Sequence, residues 1–119
     1  MSVVVSFNEG INGRDIRRLG SLMTDDHAFV DTDGVVVSGR RGCIEAWRGF
    51  FASFPDYRNV FAELTEHGDV VAVVGHSVCA EPSLAGPALW TARITDGKVA
   101  EWRVHTDTPG NRAQLGIGA

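Results

Sequence analysis

Over residues 3–11 the apolar positions Val4, Phe7 and Ile11 recur at helical spacing, and Asn12-Gly13 closes the segment. Asp15 is placed to cap a short second helix carrying Ile16, Leu19, Leu22 and Met23 on one face. The period then shifts: 28–31 reads as a strand, Asp33-Gly34 as a turn, and Val35-Val36-Val37 as a short return strand. Helical spacing resumes over 40–54 with Ile44, Trp47, Phe50, Phe51 and Phe54 inward, and Pro55 stops it. From there the pattern is strand-like. Residues 57–65 and 70–80 flank the turn His67-Gly68-Asp69, and a loop spans 82–87. Residues 88–95 and 98–107 flank a hairpin turn at Asp96-Gly97, and Thr108-Pro109 opens a short helical tail.

Helices followed by a meander of long antiparallel strands predict one α+β domain spanning 1–119, with the helices on one face of the sheet. The strand at 70–80 adds a constraint. Val71, Val73, Gly75 and Ser77 alternate with Val70, Ala72, Val74, His76 and Val78, and neither set is charged. Such a strand needs cover on both sides. The second cover is assigned to another copy of the chain, so a homodimer through the outer sheet face is expected.

Composition narrows the partners. The 119 residues are 44% hydrophobic and 22% charged, ordinary for a globular domain large enough to hold a core with a cavity. Net charge is −4 and the 11 Lys and Arg residues do not cluster, which argues against nucleic acid. No apolar run approaches the ~20 residues needed to cross a bilayer, and the N-terminus does not read as a signal peptide. Cys43 and Cys79 match no metal or redox spacing and read as reduced thiols, which places the protein in the cytoplasm. The 4 His residues do not fall at ligand spacing on one element, so no metal or other cofactor is expected.

The segment Asp25-Asp26-His27-Ala28-Phe29-Val30-Asp31-Thr32-Asp33-Gly34, followed by Gly39-Arg40, carries most of the functional information. Together with the helical start, Trp90-Thr91-Ala92-Arg93, Asp96-Gly97-Lys98-Val99, and the run from Glu101-Trp102-Arg103-Val104-His105 to Asp107-Thr108-Pro109, it resembles the SnoaL-like branch of the nuclear-transport-factor-2-like superfamily. The resemblance covers nearly the whole chain. It implies a cone-shaped α+β barrel: N-terminal helices packed on a curved, mostly antiparallel sheet enclosing a pocket. In relatives that pocket serves isomerases, polyketide cyclases, epoxide hydrolases and non-catalytic binders, so fold alone does not name a reaction.

Asp31 is the leading candidate for catalysis. It shares a face with Phe29, and aromatic surroundings would strip its hydration and disfavour the charged form, as suits a general base. The resemblance to ketosteroid isomerase places the base at the matching position. Phe7 and Trp90 stand where that enzyme has its tyrosine and its protonated acid; Phe7 cannot donate a hydrogen bond, and Trp90 donates only through its indole N–H. The competing reading is that Asp31 caps the turn at Asp33-Gly34.

On the last strand, alternation buries Ala100, Trp102, Val104 and Thr106 and turns Glu101, Arg103 and His105 outward. A bulge would let Asp107 swing inward, where the resemblance to polyketide cyclases implies an acid/base role. His76 reads either as a buried neutral histidine or as a pocket-lining proton shuttle. His27, at a helix end, is explained by the helix dipole. Ser77 lacks the context of a nucleophile.

Phe7, Trp47, Phe51, Tyr57, Trp90 and Trp102 are the candidate pocket wall, with indole N–H groups as polar handles for a largely apolar small molecule. Two functions remain open: a cofactor-free isomerase, cyclase or hydrolase using Asp31, and a non-catalytic ligand-binding or dimerisation domain.

Overall fold

The computed structural model describes residues 2–117. Two helices, α1 (Ser2–Asn12) and α2 (Ile16–Leu22), lead into strand β1 (Met23–Val30) and the short β2 (Val36–Ser38). Helix α3 (Arg40–Ser53) follows. Then come the long strands β3 (Arg58–His67), β4 (Val70–Val78), β5 (Gly86–Thr95) and β6 (Lys98–Thr106), and a final short helix α4 (Pro109–Gln114). The six strands form one sheet in the order β2-β1-β6-β5-β4-β3. All neighbours are antiparallel except β1 and β6, which run parallel.

Local chemistry accounts for most boundaries. Asp15 caps α2 by accepting the Arg18 N–H at 3.0 Å. Thr108 caps α4 from the Asn111 N–H at 3.1 Å, with Pro109 at the first turn. The β5–β6 hairpin turns through Asp96 and Gly97, both at positive φ. β1 departs from expectation: it starts at Met23 rather than at residue 28, because Met23 pairs with Val99 on β6. Tertiary pairing overrides the helical face seen in Leu19, Leu22 and Met23.

The sheet bends at irregularities in β1, β3 and β5. The β3 bulge, between Phe61 and Glu63, lies opposite Gly75. A Cβ at Gly75 would come within 2.1 Å of the Val60 carbonyl oxygen, so the backbones can approach there only through glycine. Val4, Phe7 and Ile11 of α1 and Cys43, Trp47 and Phe51 of α3 are buried against the concave face. The result is the α+β cone expected.

The outer face is partly covered by the chain itself. Ala72, Leu89 and Thr91 on that face are buried. The C-terminal segment lies over it, with Gly116 beside the His67 ring. Val60 and Val78 remain exposed on β3 and β4 of the same face.

Candidate functional site

The cone encloses a cavity of about 550 Å³. Helix α3 contributes Cys43, Trp47 and Phe50; β5 and β6 contribute Trp90, Trp102 and Val104; Tyr57 and Ser77 come from the approach to β3 and from β4. Ser83, Leu84 and Ala85, in and just after a single helical turn, also border it. Aromatic edges brace the wall. Phe29 meets Trp47 edge-on at 5.6 Å, and Phe50 meets Tyr57 at 4.8 Å.

Asp31 lies where β1 runs out. Its Oδ1 accepts the N–H groups of Asp33 and Val35, each at 2.9 Å, while its own N–H donates to the Val35 carbonyl. The half-buried carboxylate therefore holds the turn and also lines the cavity. Among the described residues Oδ2 has no hydrogen-bond partner.

The wall is rich in donors. The indole N–H groups of Trp47, Trp90 and Trp102 are buried and find no acceptor among the described residues. Tyr57 Oη lies 3.2 Å from Ser77 Oγ, which donates to Asn59 Oδ1 at 2.8 Å. With the serine proton committed to Asn59, Tyr57 is the donor to Ser77. Asn59 is in turn fixed from α1: its N–H donates to Asn12 Oδ1, and its carbonyl accepts from Asn12 and Asn8. Burial pushes the Tyr57 phenol above its ordinary value, against the opposing influence of its polar neighbours Ser77 and Asn59, so it stays protonated at neutral pH. Burial likewise raises the Cys43 thiol.

The structure thus brings together Asp31, Trp47, Tyr57, Trp90 and Trp102. Phe7 and Phe51 stand one layer back: Phe7 stacks on Trp102 at 4.6 Å, and Phe51 packs on Trp47 at 5.5 Å. His76 is exposed on the outer face, neither buried nor at the cavity. Asp107 does not swing inward; Arg112 holds it through bonds of 2.6 and 2.9 Å, and that guanidinium keeps its carboxyl below the usual range. His105 borders the cavity at its β6 end, with Nε2 at 2.9 Å from Thr91 Oγ1; burial first, and the Arg103 charge second, lower its pKa.

His27 is a correction. It sits in a strand, not at a helix end, and is fully buried. Its Nδ1 donates to the Val99 carbonyl at 2.6 Å, and burial lowers its pKa despite that bond. Sequence reasoning also passed over the Tyr57–Ser77–Asn59 chain. The available signal was that Ser77 shares its alternation with Val71 and Val73, so a polar group was being carried onto a core face.

Among the described residues no group of three or more His, Cys, Asp or Glu side chains is arranged to hold a metal ion. No helix there is long and apolar enough to cross a membrane.

A helix-wrapped, curved six-stranded sheet closing on an apolar cavity defines the nuclear-transport-factor-2-like cone. Residues 4–102 match the SnoaL-like domain, and the chain belongs to that family. No curated protein matches it by sequence. Among solved structures it is similar to a proposed polyketide cyclase from Sinorhizobium meliloti, with 17% identity over 88% of this chain and 94% of that one and a TM-score of 0.80. IdmH, a proposed polyketide cyclase from Streptomyces antibioticus, shares 22% identity over 98% and 97% of the two chains, with a TM-score of 0.72. TerC, crystallised with polyporic acid, shares 20% over 97% and 96%, with a TM-score of 0.77. At these identities the likeness is one of fold.

Proposed function

We propose that this domain binds a flat, largely apolar molecule bearing a ketone-type carbonyl, and acts on it as a cofactor-free acid/base enzyme with Asp31 as the base. The observation that carries the reading is the set of three buried indole N–H donors, without acceptors among the described residues, on rings that line the cavity. Buried donors are costly to leave unpaired, and a ligand oxygen that reaches one of them would pair it. Asp31 is the carboxylate in the same wall, and its turn bonds fix the orientation of the group while leaving Oδ2 available. In the proposed step Oδ2 takes a proton from the carbon next to the carbonyl. The electron pair moves to the carbonyl oxygen, and an indole N–H stabilises the enolate. Returning the proton to another carbon gives isomerisation; attack of the enolate carbon on a second carbonyl of the same molecule gives ring closure, the new alkoxide oxygen taking the proton back from Asp31. The two similar structures named as proposed polyketide cyclases support this class of substrate by analogy.

The use of Asp31 Oδ1 in the turn favours a second reading, in which the domain binds the same class of molecule without acting on it. In both readings a second copy of the chain covers the outer face around Val60 and Val78.

Calorimetric titration with acetonaphthone and with isopropenylnaphthalene, which replaces the carbonyl by a carbon–carbon double bond, tests the binding claim. The ketone should bind about tenfold more tightly. Equal affinities would overturn it.

A further inference from the structure

A second crevice, of about 300 Å³, lies between β6 and α4, lined by Arg103, His105, Asn111, Gln114 and Leu115 among others. It shares Thr32, Val104, His105 and Thr106 with the main cavity, so both reach the end of β6, the cavity from the concave side and the crevice from the outer side. Their chemistry differs. The main cavity is walled by aromatic rings; the crevice is walled by a guanidinium, an imidazole, two side-chain amides and hydroxyls.

The cation in it is not neutralised. Arg103 makes no ion pair among the described residues. Its ladder neighbours are Val30 on β1 and Thr91 on β5, both uncharged. The nearby Glu101 stands opposite Arg93 instead. Asp107, just beyond β6, is engaged by Arg112, so that carboxylate does not oppose an incoming anion. Asn111 spends its side-chain N–H on the Thr106 carbonyl, whereas Gln114 has no partner among the described residues. An unpaired guanidinium and a free amide lining one crevice are suited to a carboxylate.

We propose that this crevice is an anion subsite, and that the ligand joins a flat apolar body in the main cavity to a carboxylate held by Arg103 and Gln114. The proposal rests on the reading of the main cavity given above and adds the ligand's charge.

The test uses naphthylbutanoate and its neutral counterpart naphthylbutanol, titrated calorimetrically into the parent chain, Arg103→Gln and Arg93→Gln. Arg93 lies on the same outer face but outside the crevice. The parent should prefer the acid by about fivefold, as fits a partly exposed ion pair. Arg103→Gln should abolish the preference, and Arg93→Gln should keep it. Equal binding of acid and alcohol to the parent overturns the subsite while leaving the cavity standing. A preference that survives Arg103→Gln, or that Arg93→Gln removes equally, also overturns it, since the field of the whole face would then be responsible. If neither probe binds, both the subsite and the cavity reading fail.

Discussion

Replacing Asp31 separates its two possible duties, because asparagine keeps the shape and one acceptor oxygen while alanine keeps neither. Two N–H groups reach Oδ1 at 2.9 Å. A net ~1 kcal/mol for each bond puts the cost of Asp31→Ala near ~2 kcal/mol. In Asp31→Asn the amide oxygen can accept the same two donors, so the loss should stay below ~1 kcal/mol. With an unfolding entropy of about 2.1 cal/mol/K per residue over 119 residues, each kcal/mol lowers Tm by about 4 °C. The alanine variant should therefore melt about 8 °C below the parent, and the asparagine variant less than about 4 °C below it. Circular dichroism melts near neutral pH measure this. The catalytic duty is read separately, by proton NMR of acetonaphthone in heavy water as its methyl protons exchange. Asp31→Asn should slow the protein-dependent exchange by about 100-fold. Two outcomes refute the reasoning. If Asp31→Asn is as destabilised as Asp31→Ala, the turn depends on the charge itself and the residue returns to a structural role. If the exchange rate is unchanged, Asp31 is not the base.

The remaining predictions concern pH and assembly. His27 is held below its ordinary value of 6.5 by burial, so below that pH the unfolded chain binds protons more readily than the folded one. Stability should be full above about pH 6.5 and fall on acidification, with a limiting slope of ~1.4 kcal/mol per pH unit. His105 is shifted the same way, so His27→Gln should reduce the slope and His27→Gln with His105→Gln should reduce it further; an unchanged slope in thermal melts would contradict this. Sedimentation equilibrium at micromolar concentration should give a dimer, with Val60→Glu shifting it toward the 12.8 kDa monomer. A parent that sediments as a monomer would exclude the second copy.

The parts legible in the sequence were those fixed by near neighbours. Val4, Phe7 and Ile11 specify α1, Asp15 caps α2, and Asp96-Gly97 turns the last hairpin, each through contacts within a few residues. The five-residue cluster of Asp31, Trp47, Tyr57, Trp90 and Trp102 was also legible, because period and family resemblance together assign those side chains to the concave face. Distance along the chain decided the rest. His27 became a core residue through a parallel pairing with β6 and a bond to Val99, neither of which any local pattern encodes. Alternation places His76 and Ser77 on opposite faces but does not say which face is the inside. The side that α1 and α3 cover settles it, leaving Ser77 with Tyr57 and Asn59 and turning His76 to solvent. Asp107 was decided by α4, which brings Arg112 onto the carboxylate and holds it away from the cavity. Periodicity records where a side chain points relative to its own strand, whereas burial and charge pairing depend on what the rest of the chain lays against it.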